Sequence, residues 1–434
     1  MSQPTTSRPT WSLRTAFWLA FGSQVLMLAG SNLPTPLFPL YERHFGFGSG
    51  VVTLLFAIYA AALIPSLLTL GRLADRIGRR PVLAAGIAGT ALSSLAFAAA
   101  RSVEWLYAGE VLYGIAGGMI MSCAPVAVRE LHPKGSVAGG ALAATFAASV
   151  GLTLGPLGSG ELATVTRWPT TSPFVIDIVL ALALALALLR IPETRPDVAP
   201  PVDRAPVINV PREIRAEFTA AALASAVGWM TMGWVFALSP SFLHEELGVH
   251  LSQPFVSGLF AALVVATNGA AQLSLRHHHD SPFALQAALA SMGLGVGAIV
   301  ASTLTGGLPL ALVGGVLAGV GTGVAQMHTM ATIQRIAPVH SRGGVTSAFL
   351  TACYLALSLP VVVAGLTADR IGLGVVSGWY EAALLTLVGV ALVVGLRVAS
   401  AAAVEGLAVV TPWPDGDRSL GEAVDPLVGD LDVA

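Results

Sequence analysis

Charged side chains are scarce in this sequence. Only 11% of the 434 residues are Asp, Glu, Lys or Arg, whereas 55% are hydrophobic and the mean hydropathy is +0.77. Soluble domains carry about 25% charged residues, so a chain of this composition is not expected to fold as a large soluble protein. The composition instead predicts a membrane protein with several spans.

Cysteine is also rare, and no grouping typical of a catalytic site stands out. Cys123 and Cys353 both fall inside apolar runs, which argues against a disulfide framework and a zinc site. Without paired catalytic groups, a nucleotide-binding loop or metal-ligand spacing, we expect no enzymatic activity, no cofactor, no metal and no nucleic-acid partner. The three histidines at 277–279 are interpreted as a partly charged turn, with metal binding as the alternative.

Long apolar runs recur along the chain, and each approaches the roughly 20 residues that a membrane-spanning helix needs. Only helices satisfy their own backbone hydrogen bonds in lipid, so all of the runs are predicted to be helical. No small-residue cleavage site follows a short apolar region, and the first run is expected to be retained. The predicted spans cover residues 17–41, 50–70, 81–100, 105–128, 136–160, 173–189, 218–243, 255–275, 283–304, 308–333, 343–366 and 373–396.

The basic residues are distributed unevenly over the connecting loops. With the N-terminus placed in the cytoplasm, eighteen of the 22 Lys and Arg residues fall in cytoplasmic segments. The four exceptions are Arg43, Arg101, Arg167 and Arg370. This bias predicts a multi-pass protein of the cell membrane with both termini cytoplasmic.

Two polar segments divide the chain. A cytoplasmic N-terminal segment (1–16) precedes a first six-helix bundle (17–189), and a cytoplasmic linker with six prolines (190–217) leads to a second (218–399). The remaining residues, 400–434, carry seven acidic side chains against Arg418 alone and are predicted to form a disordered cytoplasmic tail.

A charged decad, Gly71–Arg80, separates the second and third apolar runs and predicts a tight turn at the membrane surface. An ordinary positively charged loop would explain its arginines but neither Asp75 nor the two glycines. The pattern G-x-L-A-D-R-x-G-R-R at this place resembles the signature loop of the major facilitator superfamily. The resemblance implies an all-α membrane protein with twelve transmembrane helices in two six-helix bundles.

The resemblance also implies that the decad is part of a gate. Asp75 would sit at the N-terminus of span eleven, near Ser341–Gly344, when the cytoplasmic side is shut. Arg79 or Arg80 would meet Glu130 at the end of span four. The predicted gating residues are Gly71, Asp75, Arg76, Gly78, Arg79, Arg80 and Glu130.

Span five contains closely spaced glycines and a proline, at Gly151, Gly155, Pro156 and Gly160. This pattern resembles the antiporter motif of the same superfamily, with Ser159 in place of one glycine. The resemblance implies export coupled to inward proton flow. The alternative is a generic small-residue packing surface.

Three acidic residues fall inside predicted spans, where an ionisable group is costly and is a functional candidate. Glu110 stands in span four where the superfamily's drug exporters have an arginine, and Asp177 lies near the outer end of span six. Both are proton-coupling candidates. The alternatives are that Glu110 is a solvated or hydrogen-bonded structural residue near the outer surface and that Asp177 reaches the membrane interface, and for Asp177 we favour the structural interpretation. Glu381, early in span twelve, is expected to be interfacial.

By resemblance, spans one, four, seven and ten surround a central cavity. Such a cavity would be aromatic, soft and sparsely polar, which suits bulky, mostly apolar solutes. The tryptophans have an alternative role as anchors at the membrane interface, and His328 as a neutral core residue. The cavity candidates are Gln24, Ser31, Asn32, Tyr107, Tyr113, Trp229, Met230, Trp234, Gln326, Met327 and His328.

These observations predict a secondary active transporter that exports small amphipathic, drug-like molecules by proton-coupled alternating access. A proton-coupled uptake symporter for a metabolite is the alternative, and a non-transporting membrane sensor is the alternative from another class. The expected partners are a small-molecule substrate, protons and the lipid bilayer, and the expected oligomeric state is a monomer.

Overall fold

The computed structural model describes residues 11–133, 135–193, 209–276, 283–338 and 341–408. Within these ranges, the side chains at positions 71, 72, 75, 137, 138 and 396–408 are not described. Several predictions therefore concern parts of the chain outside the described residues. They are the Asp75 side chain, most of the linker, the histidines at 277–279 and the acidic tail beyond residue 408.

The described residues fold into helices and contain no strand. A short 3-10 turn, Thr35–Leu37, joins the first two helices. The α-helices are α1 (Leu13–Gly30), α2 (Phe38–Phe45), α3 (Ser49–Ile77), α4 (Arg79–Ala98), α5 (Val103–Glu130), α6 (Val137–Val165), α7 (Ser172–Leu188), α8 (Arg215–Ala237), α9 (Ser239–Glu245), α10 (Pro254–Ser274), α11 (Ala284–Thr305), α12 (Leu308–Ile336), α13 (Arg342–Ile371) and α14 (Leu373–Ala408).

The number of apolar helices agrees with the predicted spans. In the described part of the chain, eleven segments are long and apolar enough to cross a membrane, and the shorter apolar helix α7 brings the number to twelve. The predicted all-helical fold is confirmed. The first apolar run is broken at Pro34 and Pro36, because α1 ends at Gly30 and the chain re-enters a helix only after the 3-10 turn.

The charged decad forms a much shorter turn than the sequence suggested. Helix α3 continues through it to Ile77, and α4 begins at Arg79, so the turn consists of Gly78 alone with φ +103°. A side chain at this φ would be strained, which explains the glycine. The charged residues before Gly78 tolerate the helical state because arginine is a good helix former.

The two predicted halves meet along two pairs of helices, α3 with α13 and α6 with α10. Gly160 of α6 lies so close to α10 that a Cβ atom would come within 2.8 Å of the Pro254 carbonyl oxygen. The described residues up to 395 belong to one compact unit, and the end of α14 beyond residue 395 belongs to a second. The predicted bundle, linker and tail boundaries stay predictions.

We call the end of the bundle at which α1 begins the inner end, after the orientation that the basic residues predict, and the opposite end the outer end. Both α3 and α14 run from the outer end to the inner end, whereas α8 and α13 run the other way. On this assignment α2 and α9 are short helices at the outer end. Tyr41 of α2 donates a hydrogen bond to the Thr170 carbonyl oxygen (3.4 Å), which ties α2 to the segment before α7.

Candidate functional site

A cavity of about 210 Å³ lies between the two halves. Apolar and aromatic side chains make up most of its wall, and Trp229 and Tyr354 meet edge to face with ring centroids 5.0 Å apart. The lining residues are Leu28, Ser31, Asn32, Thr35, Phe38, Phe56, Tyr59, Glu110, Met121, Ala148, Leu152, Trp229, Met232, Phe236, Val265, Asn268, Gln326, Tyr354 and Leu357.

Among the described residues, Glu110 contributes the one carboxylate of the cavity wall. Glu110 is 6% exposed, so it is not the solvated surface residue that the structural interpretation allowed. Among the described residues, no side chain or backbone group forms a hydrogen bond or ion pair with it. An unpaired carboxyl group facing a cavity inside a membrane-spanning bundle is a strong functional candidate.

Glycines of α5 hold Glu110 in this position by letting α3 pack against α5 at short range. A Cβ atom on Gly114 would lie 2.6 Å from the Tyr59 carbonyl oxygen. Tyr59, on α3, is itself a cavity residue that the sequence did not suggest. The close packing of these two helices explains why Gly114 follows Glu110 by one helical turn.

Amide side chains form a second polar feature on the α10–α12 side of the cavity. Gln272 donates to the Oδ1 atom of Asn268 (2.8 Å) and to the Oε1 atom of Gln326 (3.4 Å). Asn268 and Gln326 both line the cavity. Sequence reasoning found Gln326 but missed Asn268, although two amides four residues apart in an apolar run are a detectable signal.

Asp177 is not part of the cavity wall. It is 4% exposed, and its Oδ2 atom accepts a hydrogen bond from the Ser94 hydroxyl (2.6 Å). The expectation that it reaches the membrane interface was therefore wrong, and its bond to Ser94 supports a structural role. Glu381 was likewise expected to be interfacial, but it is 3% exposed.

The predicted cavity residues divide into two groups. Ser31, Asn32, Trp229 and Gln326 line the cavity. The others lie outside the lining because successive residues of a helix point about 100° apart. Those that do not line it are Gln24, Tyr107, Tyr113, Met230, Trp234, Met327 and His328.

Three of these seven have clear packing roles instead. Gln24 donates to the Ala144 carbonyl oxygen (3.0 Å), and Tyr113 donates to that of Met27 (3.0 Å). Trp234 is 3% exposed and packs edge to face on Phe242, so it is a core residue rather than an interface anchor.

The charged decad makes one contact that the sequence predicted and one that it did not. Arg79 forms an ion pair with Glu130 at the end of α5, as expected. Glu193, just after α7, accepts hydrogen bonds from the backbone N–H groups of Arg79 (2.7 Å) and Arg80 (3.2 Å). A carboxylate at the N-terminus of α4 satisfies donors that the helix leaves free.

The glycines of the span-five motif pack against helices on two sides. Gly151 and Gly155 face the backbone of α1 at Val25 and Ala29, and Gly160 faces α10. The motif therefore packs on one side against α1, which lines the cavity, and on the other side against α10, where the two halves meet. This arrangement agrees with the packing interpretation and leaves the antiport role a prediction.

The sequence model of the Major Facilitator Superfamily matches residues 20–361. The chain belongs to this superfamily. Its relatives include the multidrug efflux pump LfrA of Mycolicibacterium smegmatis, 29% identical over 186 residues, which are 42% of this chain and 37% of the pump. The tetracycline resistance protein, class H, of Pasteurella multocida is 31% identical over 147 residues, 33% of this chain and 36% of that protein. The chain thus matches little more than a third of the length of either relative.

Solved transporter structures share the superfamily fold with this chain. A POT family transporter in complex with 5-aminolevulinic acid aligns with a TM-score of 0.70 at 12% identity, covering 89% of this chain and 96% of the other. An inward-facing bacterial homolog of the human lysosomal transporter Spinster aligns with a TM-score of 0.65 at 16% identity, covering 91% and 96%. At these identities the likeness concerns the fold alone.

Proposed function

We propose that this protein is a proton-coupled exporter of small amphipathic molecules that works by alternating access. The observation that carries the proposal is the cavity between the halves, which has an aromatic, apolar wall and, in the part of the chain that the structure describes, a single carboxylate at Glu110. Aromatic and methionine side chains accommodate solutes of varied shape. Its relatives in this superfamily include a multidrug efflux pump and tetracycline resistance proteins, which favours export over uptake.

Glu110 is the proposed proton carrier. It faces the same cavity as the substrate, so a proton and a substrate compete for one site. That competition provides the link that antiport requires, because the substrate and the proton then change each other's affinity. A difference of one pH unit supplies about 1.4 kcal/mol per proton, which is sufficient for a modest uphill export.

The charged groups of the cavity lining narrow the proposed substrate class. Among the described residues, the lining contains one carboxylate and no Lys, Arg or His. In a cavity of low dielectric constant, an unpaired carboxylate favours a cationic solute over an anionic one. We therefore assign amphipathic cations with an aromatic core as the preferred substrates, with the Asn268 and Gln326 amides available as hydrogen-bonding groups.

The decad and its neighbours are the proposed inner gate. The Arg79–Glu130 ion pair joins α4 to α5, and the hydrogen bonds that Glu193 accepts join α4 to the segment after α7. Asp75 is proposed to meet the N-terminus of α13 when the inner end is shut. The excess of basic residues in the same loops supports a cell-membrane protein with both termini cytoplasmic, and we propose that it acts as a monomer.

Export of a dye panel from cells that lack their own exporters tests the function. A cationic aromatic dye should accumulate less in cells that produce this protein, and collapse of the proton gradient should abolish the difference. An anionic dye of similar size is the matched probe and should be exported poorly. Accumulation of a probe above the control level would instead indicate uptake, and no change with any dye would contradict transport of this class.

A further inference from the structure

A second copy of the decad's first eight residues occurs at the end of α13. Residues 365–372 read G-L-T-A-D-R-I-G, and residues 71–78 read G-R-L-A-D-R-I-G, so that six of eight positions are identical. The first copy ends α3 and the second ends α13. Because α3 and α13 run in opposite directions, the two copies lie at opposite ends of the bundle. We call them the inner copy (71–78) and the outer copy (365–372).

The two copies have the same backbone conformation. The inner copy ends its helix at Ile77, with Gly78 at φ +103° and ψ 156°, and the outer copy at Ile371, with Gly372 at φ +92° and ψ 146°. In each, the glycine N–H donates to the carbonyl oxygen of the alanine four residues earlier, at 3.0 and 2.9 Å. The next helix begins at the following residue in both. The likeness therefore extends from sequence to structure.

Asp369, the acidic residue of the outer copy, bonds to the opposite half. The N–H of Gly50, in the first turn of α3, donates to both carboxylate oxygens of Asp369 at 3.1 and 3.2 Å. The N-terminus of α3 has no capping side chain of its own. Asp369 therefore supplies both a hydrogen-bond acceptor and a negative charge to a helix N-terminus that needs them.

Other residues support this contact. Gly365, the first residue of the outer copy, lies against Thr53 and lets α13 approach α3 closely. At Gly48 and Gly50, a side chain would collide with the Asp369 carboxylate. Nearby, Ser241 of α9 donates to Glu42 of α2 across the two halves at 2.7 Å. The outer ends of the halves are thus joined by several hydrogen bonds, with the outer copy among them.

We propose that Asp369 is a latch that holds the outer end of the transporter closed, as the counterpart of Asp75 at the inner end. Each of the antiparallel helices α3 and α13 carries the octapeptide at its C-terminus and offers its own N-terminus to the other helix. The Asp369 contact forms when the outer end closes, and the Asp75 contact forms when the inner end closes. This proposal rests on the proposed alternating-access function.

Labelling of a buried reporter at the outer end tests the latch. The native thiols are removed by Cys123→Ala and Cys353→Ala, and Thr53→Cys places a single thiol at the α3–α13 contact, where Thr53 is fully buried. Its reaction rate with a membrane-impermeant maleimide, added outside cells, reports how often the outer end opens. Asp369→Asn should raise this rate about two- to fivefold, the range expected for loss of an exposed carboxylate at a helix N-terminus.

The same substitution in the inner copy should act in the opposite direction. Asp75→Asn weakens closure of the inner end and should lower the labelling rate. Gly50→Ala displaces the Asp369 carboxylate without removing it and should raise the rate, whereas Asp369→Glu should restore most of the closed state. Glu161→Gln, which removes an exposed acid at the outer end of α6, is the matched control and should have no effect.

The latch is refuted if Asp369→Asn leaves the rate unchanged, or if the two Asp→Asn variants shift it in the same direction. Labelling reports conformation and does not require transport. If no dye is exported but the two Asp→Asn variants shift the labelling rate in opposite directions, the proposed substrate class is refuted and the latch stands. Normal export without opposite shifts would refute the latch alone.

Discussion

Glu110→Gln is the most direct perturbation of the proposed coupling. The substitution preserves the size and shape of the side chain and removes its exchangeable proton. Because the described residues provide no hydrogen-bond or ion-pair partner for Glu110, the change strands no buried group. We expect the free energy of unfolding to change by less than about 1 kcal/mol.

The expected loss of pumping follows from the energy of one proton. A difference of one pH unit supplies about 1.4 kcal/mol per proton. That energy holds a transported solute at a concentration ratio of about 10. Glu110→Gln cannot convert the pH difference into a solute gradient, so the ratio should fall to about 1. Downhill exchange of substrate should continue, because the cavity keeps its shape.

Proteoliposomes with a clamped membrane potential allow both quantities to be measured in one preparation. A pH step is imposed, and the distribution of a cationic dye is followed with each variant. Asp177→Asn is the matched control: it also neutralises a buried acid, but one that lies outside the cavity and accepts a hydrogen bond from Ser94. This variant should lose about 1 kcal/mol of stability and keep its coupling.

A preserved tenfold ratio in Glu110→Gln would show that this residue is not the carrier. Asp177 would then be the next candidate. If Asp177→Asn also pumped normally, coupling by a carboxylate of the first half would have to be abandoned.

Three further substitutions test the gate, the capping carboxylate and the cavity wall. Asp75→Asn should abolish most transport while the amount of protein in the membrane stays normal, and normal transport by a well-expressed variant would contradict the inner gate. Glu193→Gln should lower the free energy of unfolding by about 0.5–1 kcal/mol through weaker capping of α4, measured by thermal unfolding in detergent against the exposed-site control Glu213→Gln. Trp229→Ala should raise the KM for a planar aromatic dye roughly tenfold by removing a ring from the cavity, whereas Trp168→Ala, exposed outside the cavity, should not.

Hydropathy and charge were sufficient to predict the membrane-spanning helices and their number, but not the short helices α2 and α9. A run of about 20 apolar residues has few alternatives to a spanning helix, because lipid offers the backbone no hydrogen-bond partners. The ends of helices were less predictable. The decad reads as a ten-residue turn because of its charges, yet only Gly78 leaves the helical conformation. Charged residues mark the point at which a helix leaves the membrane, but the helix itself can continue beyond that point.

The faces of the helices were the main source of error in the predicted cavity. Trp229 lines the cavity and the adjacent Met230 does not, because one residue turns the side chain by about 100°. The lipid-facing and core-facing sides of a membrane-spanning helix are both apolar. The hydrophobic pattern of the sequence therefore does not show which side of a helix faces the cavity. Tyr59 and Tyr354 were missed for another reason: they belong to α3 and α13, outside the four spans expected to line the cavity.

The depth of an acid along its span also proved a poor guide to its exposure. Asp177 and Glu381 each lie within about two turns of a helix start, yet both are buried. Asp177 is enclosed by the end of α1 at Gly30 and by Ser94 of α4, which donates a hydrogen bond to its Oδ2 atom. Helices that are distant in the sequence therefore determine the environment of this carboxyl group. Such a relation is visible only in three dimensions, which is why Glu110 and Asp177, similar as candidates in the sequence, separate into a cavity group and a packing group.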